Sequence, residues 1–198
     1  MRIFGVILAG GQGRRMGGAC KALLPLAGVP LLAHAVARLE PQVERLALSA
    51  NGDPARFARF GLPVLADADP LGPLSGVLAA LDWAVALGAD AVVSVAVDTP
   101  FFPCDLVPRL HLAAETAPEG LAIASHAGRA HPTFGLWPVA LRADLRATLA
   151  RGDARVMGFA TSHAAAEAVF APQTPDPFAN LNTPEDLACA EAHLAGQP

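Results

Sequence analysis

The sequence predicts an α/β fold built on a mostly parallel sheet. Two observations carry that expectation. Apolar runs of strand length alternate with longer stretches of helical periodicity, and the first such run leads directly into a glycine-rich turn.

The first strand is expected at 3–8, where IFGVIL precedes that turn, and a helix at 31–39 over LLAHAVARL. Strands at 45–50 and 63–66 follow. Leu74, Val77, Leu78, Leu81 and Val85 then recur at helical spacing, which places one apolar stripe on a helix ending near Gly88. The run 91–97, AVVSVAV, is apolar but for Ser94 and reads as a buried central strand. A helix at 105–116 and a strand at 121–125 come next. At Ala127-Gly128 the pattern turns back, so the part after Ser125 is expected to be a hairpin-bearing lobe of the same sheet, with a strand at 133–137. A helix is expected at 140–150, a Pro-rich surface loop at 171–178 and a last helix at 184–194, with Thr183 as its N-cap and Pro184 at the first helical position.

Composition narrows the function classes. The chain has 198 residues, 53% of them hydrophobic and 16% charged, which excludes disordered and fibrous classes. A net charge of -4 and the lack of an aromatic-basic stripe argue against a general nucleic-acid binder, so an anionic ligand must be met locally. The longest charge-free run, 22–37, contains Pro25, Gly28, Pro30 and His34 and falls short of the roughly 18 apolar residues of a spanning helix. The opening MRIFGVILAGG is broken by Gly5 and followed by Arg14 and Arg15, unlike a secretory signal. Cys20, Cys104 and Cys189 are odd in number and scattered, as reduced thiols would be. A soluble cytoplasmic protein without membrane or nucleic-acid partners is expected.

Chemistry concentrates near the N-terminus. Gly10, Gly11, Gly13, Gly17 and Gly18 fall within nine positions, letting backbone N–H groups line a nest for phosphate oxygens at a strand's carboxyl end. Met16 stands where the dinucleotide-binding pattern needs Gly or Ala, and no Gly-Lys-Ser/Thr occurs, so neither Rossmann nor P-loop motifs apply. Lys21 is the single lysine beside 13 arginines, and its compact ammonium can follow a phosphate whose charge changes. Asp67 and Asp98 end strands. A carboxylate closing the central strand can hold Mg²⁺ together with substrate phosphates, which makes Asp98 the candidate metal ligand, although it could equally end the strand in an Asp98-Thr99-Pro100 turn. His34, His111, His163 and His193 fall on expected helices or their ends. His131, before the strand at 133–137, is the histidine singled out as a site candidate.

The string LAGGQGRRMGG with Lys21, then Asn51, Asp67, GPLSG at 72–76, VDTP ending at Pro100, HPT at 131–133, RVM at 155–157 and NLNTPEDL at 180–187 resembles the molybdenum cofactor guanylyltransferases, in family order over nearly the whole chain. The resemblance implies a three-layer α/β/α nucleotidyltransferase fold and transfer of GMP from GTP to the terminal phosphate of molybdopterin, with release of pyrophosphate. It implies that Leu8, Ala9 and Gly10 line the guanine pocket, and that Gly11, Gly13, Arg15 and Lys21 hold the triphosphate. Asn51 and Asp67 would contact the nucleoside, Gly72 and Gly76 complete the nucleotide wall, and Asp98 bind Mg²⁺. Lys21, Arg15 and Asp98 are thereby the catalytic candidates, while His131, Arg155, Asn180 and Asn182 would face the pterin acceptor.

One domain, 1–198, is expected, with a nucleotide-binding half of about 1–105 and an acceptor-binding half of about 106–198. Molybdenum-insertion proteins or acceptor molybdoenzymes would be transient partners. Two departures from the family pattern stand out, Cys20 in place of an Asp before the lysine and Ala96 in place of a Pro before the metal aspartate. A related transferase using CTP or a sugar phosphate, and a catalytically silent nucleotide-binding regulator, are the competing readings.

Overall fold

The computed structural model describes residues 1–10, 20–66 and 71–196. Strand β1 (Ile3–Leu8) is followed by a short ribbon, β2 (Pro25–Leu26) and β3 (Val29–Pro30), then α1 (Leu31–Leu39), β4 (Arg45–Ser49), β5 (Val64–Leu65) and α2 (Pro73–Ala86). The chain continues through β6 (Ala91–Ala96), α3 (Leu106–Ala114), β7 (Ala122–His126), β8 (Arg129–Pro138), α4 (Arg142–Ala150), α5 (Val156–Ser162), β9 (Ala166–Phe170) and α6 (Pro184–Ala195).

Seven strands form one sheet in the order β5-β4-β1-β6-β8-β7-β9. β5, β4, β1 and β6 run parallel, β8 is antiparallel to both neighbours, and β9 is parallel to β7. The mostly parallel α/β sheet expected from the sequence is therefore observed. So is the hairpin, whose turn residues Ala127 and Gly128 have φ of +49° and +75°, the left-handed pair that matches strand twist in a two-residue turn. β7 ends on the same side of the sheet as β6. That side carries the site.

Alternation along the strands fills two cores. Phe4 and Val6 of β1, with Val92, Ile123 and Trp137, meet Leu74, Val77 and Leu81 of α2, Leu145 and Leu149 of α4 and Phe159 of α5. On the opposite face Ile7, Leu48, Val93, Val95 and Leu136 meet Leu32, Ala35 and Leu39 of α1 and Leu106 and Leu110 of α3. This is the three-layer arrangement. A third cluster joins Leu26, Leu31, Leu181 and Ala190, and packs α6 over the β2–β3 ribbon. The expected N-cap holds: Thr183 Oγ1 accepts the Asp186 N–H while Asp186 returns a carboxylate oxygen to the Thr183 N–H, a capping box.

Some boundaries differ from expectation. β8 starts at Arg129, four residues before the expected strand, because the antiparallel partner β7 carries the pairing down to the turn. The strands β2, β3 and β9 and the helix α5 were not expected. The first two have two residues each, and β9 reads AEAVF, too polar for a buried run. Among the described residues no helix is long and apolar enough to cross a membrane.

Candidate active site

The site forms where β1, β4 and β6 end. Ala9 donates its N–H to Ser49 O at 2.8 Å and Val97 donates to Leu8 O at 3.1 Å, which binds the residues after β1 to both neighbouring strands. With the N–H of Ala9 engaged, a base placed here must find its donors beyond that residue. Gly10 is exposed, and among the described residues a Cβ built on it would meet only the Asn51 side chain, at 3.9 Å. Leu8, Ala9, Gly10 and Asn51 thus share one strand edge.

Gly72 caps the start of α2, and Gly76 lies one turn inside it. A Cβ on Gly76 would stand 2.6 Å from Ser49 Oγ and 2.9 Å from Leu8 Cδ2. The glycine is therefore required for the close approach of α2 to the ends of β1 and β4, a packing role that holds the wall in place.

At the centre stands an ion pair made by the fold. Lys21 opens a short 3₁₀ turn, Lys21–Leu23, and its Nζ donates to Asp98 Oδ2 at 2.7 Å and to Asn182 Oδ1 at 2.5 Å. The two charged side chains are only 13% and 20% exposed. Facing an ammonium fixes the Asn182 amide with its oxygen toward Lys21 and its NH₂ donors away. Asp98 is further tied by its main chain, whose O accepts the Leu181 N–H at 2.8 Å. The next residue, Thr99, is buried and donates Oγ1–H to Asn180 Oδ1 at 2.6 Å. Asp186 accepts the N–H groups of Asn182 and Thr183, which lower its carboxyl below the ordinary carboxylate range.

The structure therefore brings together Lys21, Asp98, Asn180 and Asn182 from three distant segments. His131 joins them through Phe178, on which it stacks with ring centroids 4.6 Å apart. Burial, opposed in part by the Asp176 charge, holds the His131 imidazole below its usual pKa. Arg155 is a surface residue at the start of α5, pairing with Asp153 at 2.8 Å, and its neighbour Ala154 lies beside Gly72. Gly11, Gly13, Arg15 and Asp67 lie outside the described residues.

Four contributing residues escaped the sequence reading. The sequence marks Thr99 only as part of a turn, and Phe178 only as the end of a surface loop. Phe178 is in fact buried because its ring fills the gap between Phe134, Phe170 and His131. His126 and Asp176 drew no attention. The signal for His126 was present, since period two from Ala122 and Ala124 puts it on the core-facing side of β7.

The donor set fits a cation of one kind. Among the described residues no group of three or more His, Cys, Asp or Glu side chains could hold a metal ion. One carboxylate closing a central strand would suit Mg²⁺, which takes its other ligands from substrate phosphates and water. Cys20 is half-buried and packs against the core face that holds α1, so at this position the chain has an apolar contact where a carboxylate would add charge beside Lys21.

Comparison with known proteins agrees with this fold. The MobA-like NTP transferase domain family matches residues 5–167. The chain is 62% identical over 194 residues to molybdenum cofactor guanylyltransferase of Cereibacter sphaeroides, covering 98% of each chain. It is 55% identical to that of Rhodobacter capsulatus, covering 98% of this chain and 97% of the relative. Among solved structures it is similar to molybdopterin-guanine dinucleotide biosynthesis protein A from Archaeoglobus fulgidus, with a TM-score of 0.78 and 19% identity over 98% of this chain and 100% of the other. It is also similar to 4-diphosphocytidyl-2C-methyl-D-erythritol synthase from Anaerococcus prevotii, with a TM-score of 0.76 and 13% identity over 98% and 96%. These two structural likenesses speak for the fold alone. Fold, strand-edge site and high identity over nearly the full chain converge, and the chain belongs to the MobA-like NTP transferase family, among the molybdenum cofactor guanylyltransferases.

Proposed function

We propose that the chain transfers GMP from GTP to the terminal phosphate of molybdopterin. The observation that carries this reading is the convergence of Lys21, Asp98 and Asn182 at the carboxyl edge of the sheet, in a chain whose relatives are named for that reaction. An oxygen of the acceptor phosphate attacks the α-phosphorus of GTP, the bond from that phosphorus to the bridging oxygen breaks, and pyrophosphate leaves. No side-chain nucleophile is required.

Charge is the obstacle to this reaction, because two anionic phosphates must approach and a third charge grows on the leaving group. Lys21 neutralises the triphosphate, with Arg15 and the N–H groups of Gly11 and Gly13 in the same role. Asp98 would hold Mg²⁺, which supplies positive charge to the triphosphate. The edge formed by Leu8, Ala9 and Gly10, with Asn51, Asp67, Gly72 and Gly76, receives the nucleoside. Asn182 presents N–H donors on the side away from Lys21, which suits an incoming phosphate, and Asn180 and His131 lie along the same edge.

This reading treats the chain as one domain with a nucleotide half and an acceptor half, acting in the cytoplasm on two small molecules. Transient contacts with molybdenum-insertion proteins or acceptor molybdoenzymes would hand the substrate and product on. Mixing the protein with GTP, Mg²⁺ and molybdopterin should release pyrophosphate and form the guanine dinucleotide in equal amounts. Binding of GTP without pyrophosphate release would instead support the silent regulator.

A further inference from the structure

We propose that His126 is a positioning residue for the acceptor half of the site, acting through Asp176. The proposal rests on the acceptor role given above to Asn180 and His131. His126 is the last residue of β7, with a side chain only 6% exposed, and its Nδ1 lies 3.2 Å from Asp176 Oδ1. The same carboxylate oxygen accepts the Phe178 N–H at 2.8 Å. One anionic oxygen thus joins the end of a strand to the chain that carries the acceptor residues.

That chain needs such a tie. Between β9 and α6, residues 171–183 belong to no helix or strand, so no ladder of backbone bonds sets their register. At the far end the segment is fastened by Leu181 N–H to Asp98 O and by Asn182 to Lys21. At the near end the His126–Asp176 contact is the fastening, and the Phe178 ring follows it into the gap between Phe134, Phe170 and His131. Asn180 lies between the two ends, held to Thr99. A shift at Asp176 therefore moves both the ring on which His131 stacks and the span that sets Asn180.

The second ring nitrogen argues that packing alone does not explain the histidine. Among the described residues no group partners His126 Nε2, although the atom is buried. A buried nitrogen without a partner lowers stability, and an apolar ring would suit this core-facing position better. What the histidine adds is the contact with Asp176.

The test uses the full chain with molybdopterin as acceptor and GTP as donor. His126→Phe keeps a ring against Phe178 and removes the nitrogen facing Asp176. It should raise the acceptor KM about tenfold while the GTP KM and the melting temperature are not worsened, a separation that general destabilisation does not produce. His126→Asn, whose amide nitrogen replaces Nδ1, should restore the acceptor KM to near the wild-type value. Asp176 is 50% exposed, so Asp176→Ala is a second route that leaves the core intact; it also removes the acceptor of the Phe178 N–H, so it should raise the acceptor KM at least as much as His126→Phe, with no further loss when His126→Phe is added to it. An unchanged acceptor KM in His126→Phe or Asp176→Ala, or equal rises in both KM values, overturns the proposal. Asn180→Ala separates the two levels. If it raises the acceptor KM while the His126 and Asp176 variants do not, the positioning role alone falls; if it also leaves that KM unchanged, the acceptor reading falls with it.

Discussion

Two cation–carboxylate pairs of nearly equal length differ sharply in burial and in sequence separation. Lys21 meets Asp98 at 2.7 Å across 77 residues of sequence, with both side chains largely buried. Arg155 meets Asp153 at 2.8 Å across two residues, with the arginine side chain 82% exposed. The second pair is local, and water screens it whether or not the chain is folded. The first exists only because β1, β6 and the segment before α6 end at the same edge. In a partly dry setting its charges act at higher strength on whatever enters. Distance alone does not distinguish the pairs, and burial with sequence separation does.

The largest difference between the pairs should come from neutralising their carboxylates one at a time. Asp98→Asn retains an oxygen toward Lys21, so the fold should survive, but guanylyl transfer should fall about a hundredfold or more, the loss typical of one preorganised electrostatic group. Asp153→Asn should stay within about twofold of wild type. Steady-state kcat/KM at saturating Mg²⁺ reads both, and near-normal turnover of Asp98→Asn would remove it as the metal ligand.

The cations come next. Lys21→Ala should lower kcat as well as weaken GTP, because charge grows on the departing pyrophosphate, and Lys21→Arg should rescue only in part since a planar guanidinium cannot meet Asp98 and Asn182 as an ammonium does. A change confined to the GTP KM would assign Lys21 to ground-state binding. The same pair predicts metal behaviour without nucleotide. While the ammonium rests on Asp98, a divalent cation there meets like charge, so Lys21→Gln should bind Mn²⁺ more tightly than wild type in nucleotide-free titrations. Arg155→Ala should leave the acceptor KM within about twofold, as its exposed local pairing suggests; a tenfold rise would return it to the acceptor site.

Smaller still is the effect of pH on stability, and here the two regions share a sign, stability falling as pH falls, and differ in window. The Arg155 guanidinium holds the Asp153 carboxyl at about 2, below its ordinary 3.8. The contribution of that pair is present above the ordinary value and lost as pH falls through about 2, so it is constant in neutral buffers. His131 is lowered from 6.5 by burial. Below 6.5 the unfolded chain takes up a proton that the folded chain resists, so stability falls as pH drops from 6.5 toward the folded value. Chemical denaturation between pH 7 and 5 should show this slope in wild type and a shallower one in His131→Gln.

How much of this was legible in sequence follows the same division. Elements with a strong pattern, such as β1, β6 and α1, were readable because a nearly continuous apolar run in the two strands and a helical period in α1 coincide with burial. Asp98 and Lys21 were readable because each is chemically conspicuous, one closing an apolar strand and the other standing alone among arginines. Their contact with each other and with Asn182 was not, since nothing local encodes which strand ends meet. Phe178 shows the limit most clearly. Its Pro-rich surroundings describe a loop correctly, yet its burial is decided by Phe134, Phe170 and His131, which reach it only through the tertiary fold. His126 could have been flagged as a polar residue in a core-facing register, but its partner Asp176 could not.

Nucleobase choice tests the central claim most directly. Guanine offers a carbonyl oxygen, a ring N–H and an amino group to the edge at Leu8, Ala9 and Gly10, and analogues that leave such groups unpaired lose about 1 to 3 kcal/mol per bond. Gly10→Ala should erode the preference without unfolding, since among the described residues the added Cβ meets only Asn51, at 3.9 Å. The decisive quantity is kcat/KM for GTP, CTP and ATP with molybdopterin as acceptor. The account predicts an advantage of roughly a hundredfold for GTP. Equal or better use of CTP by the wild-type protein would contradict guanylyl transfer.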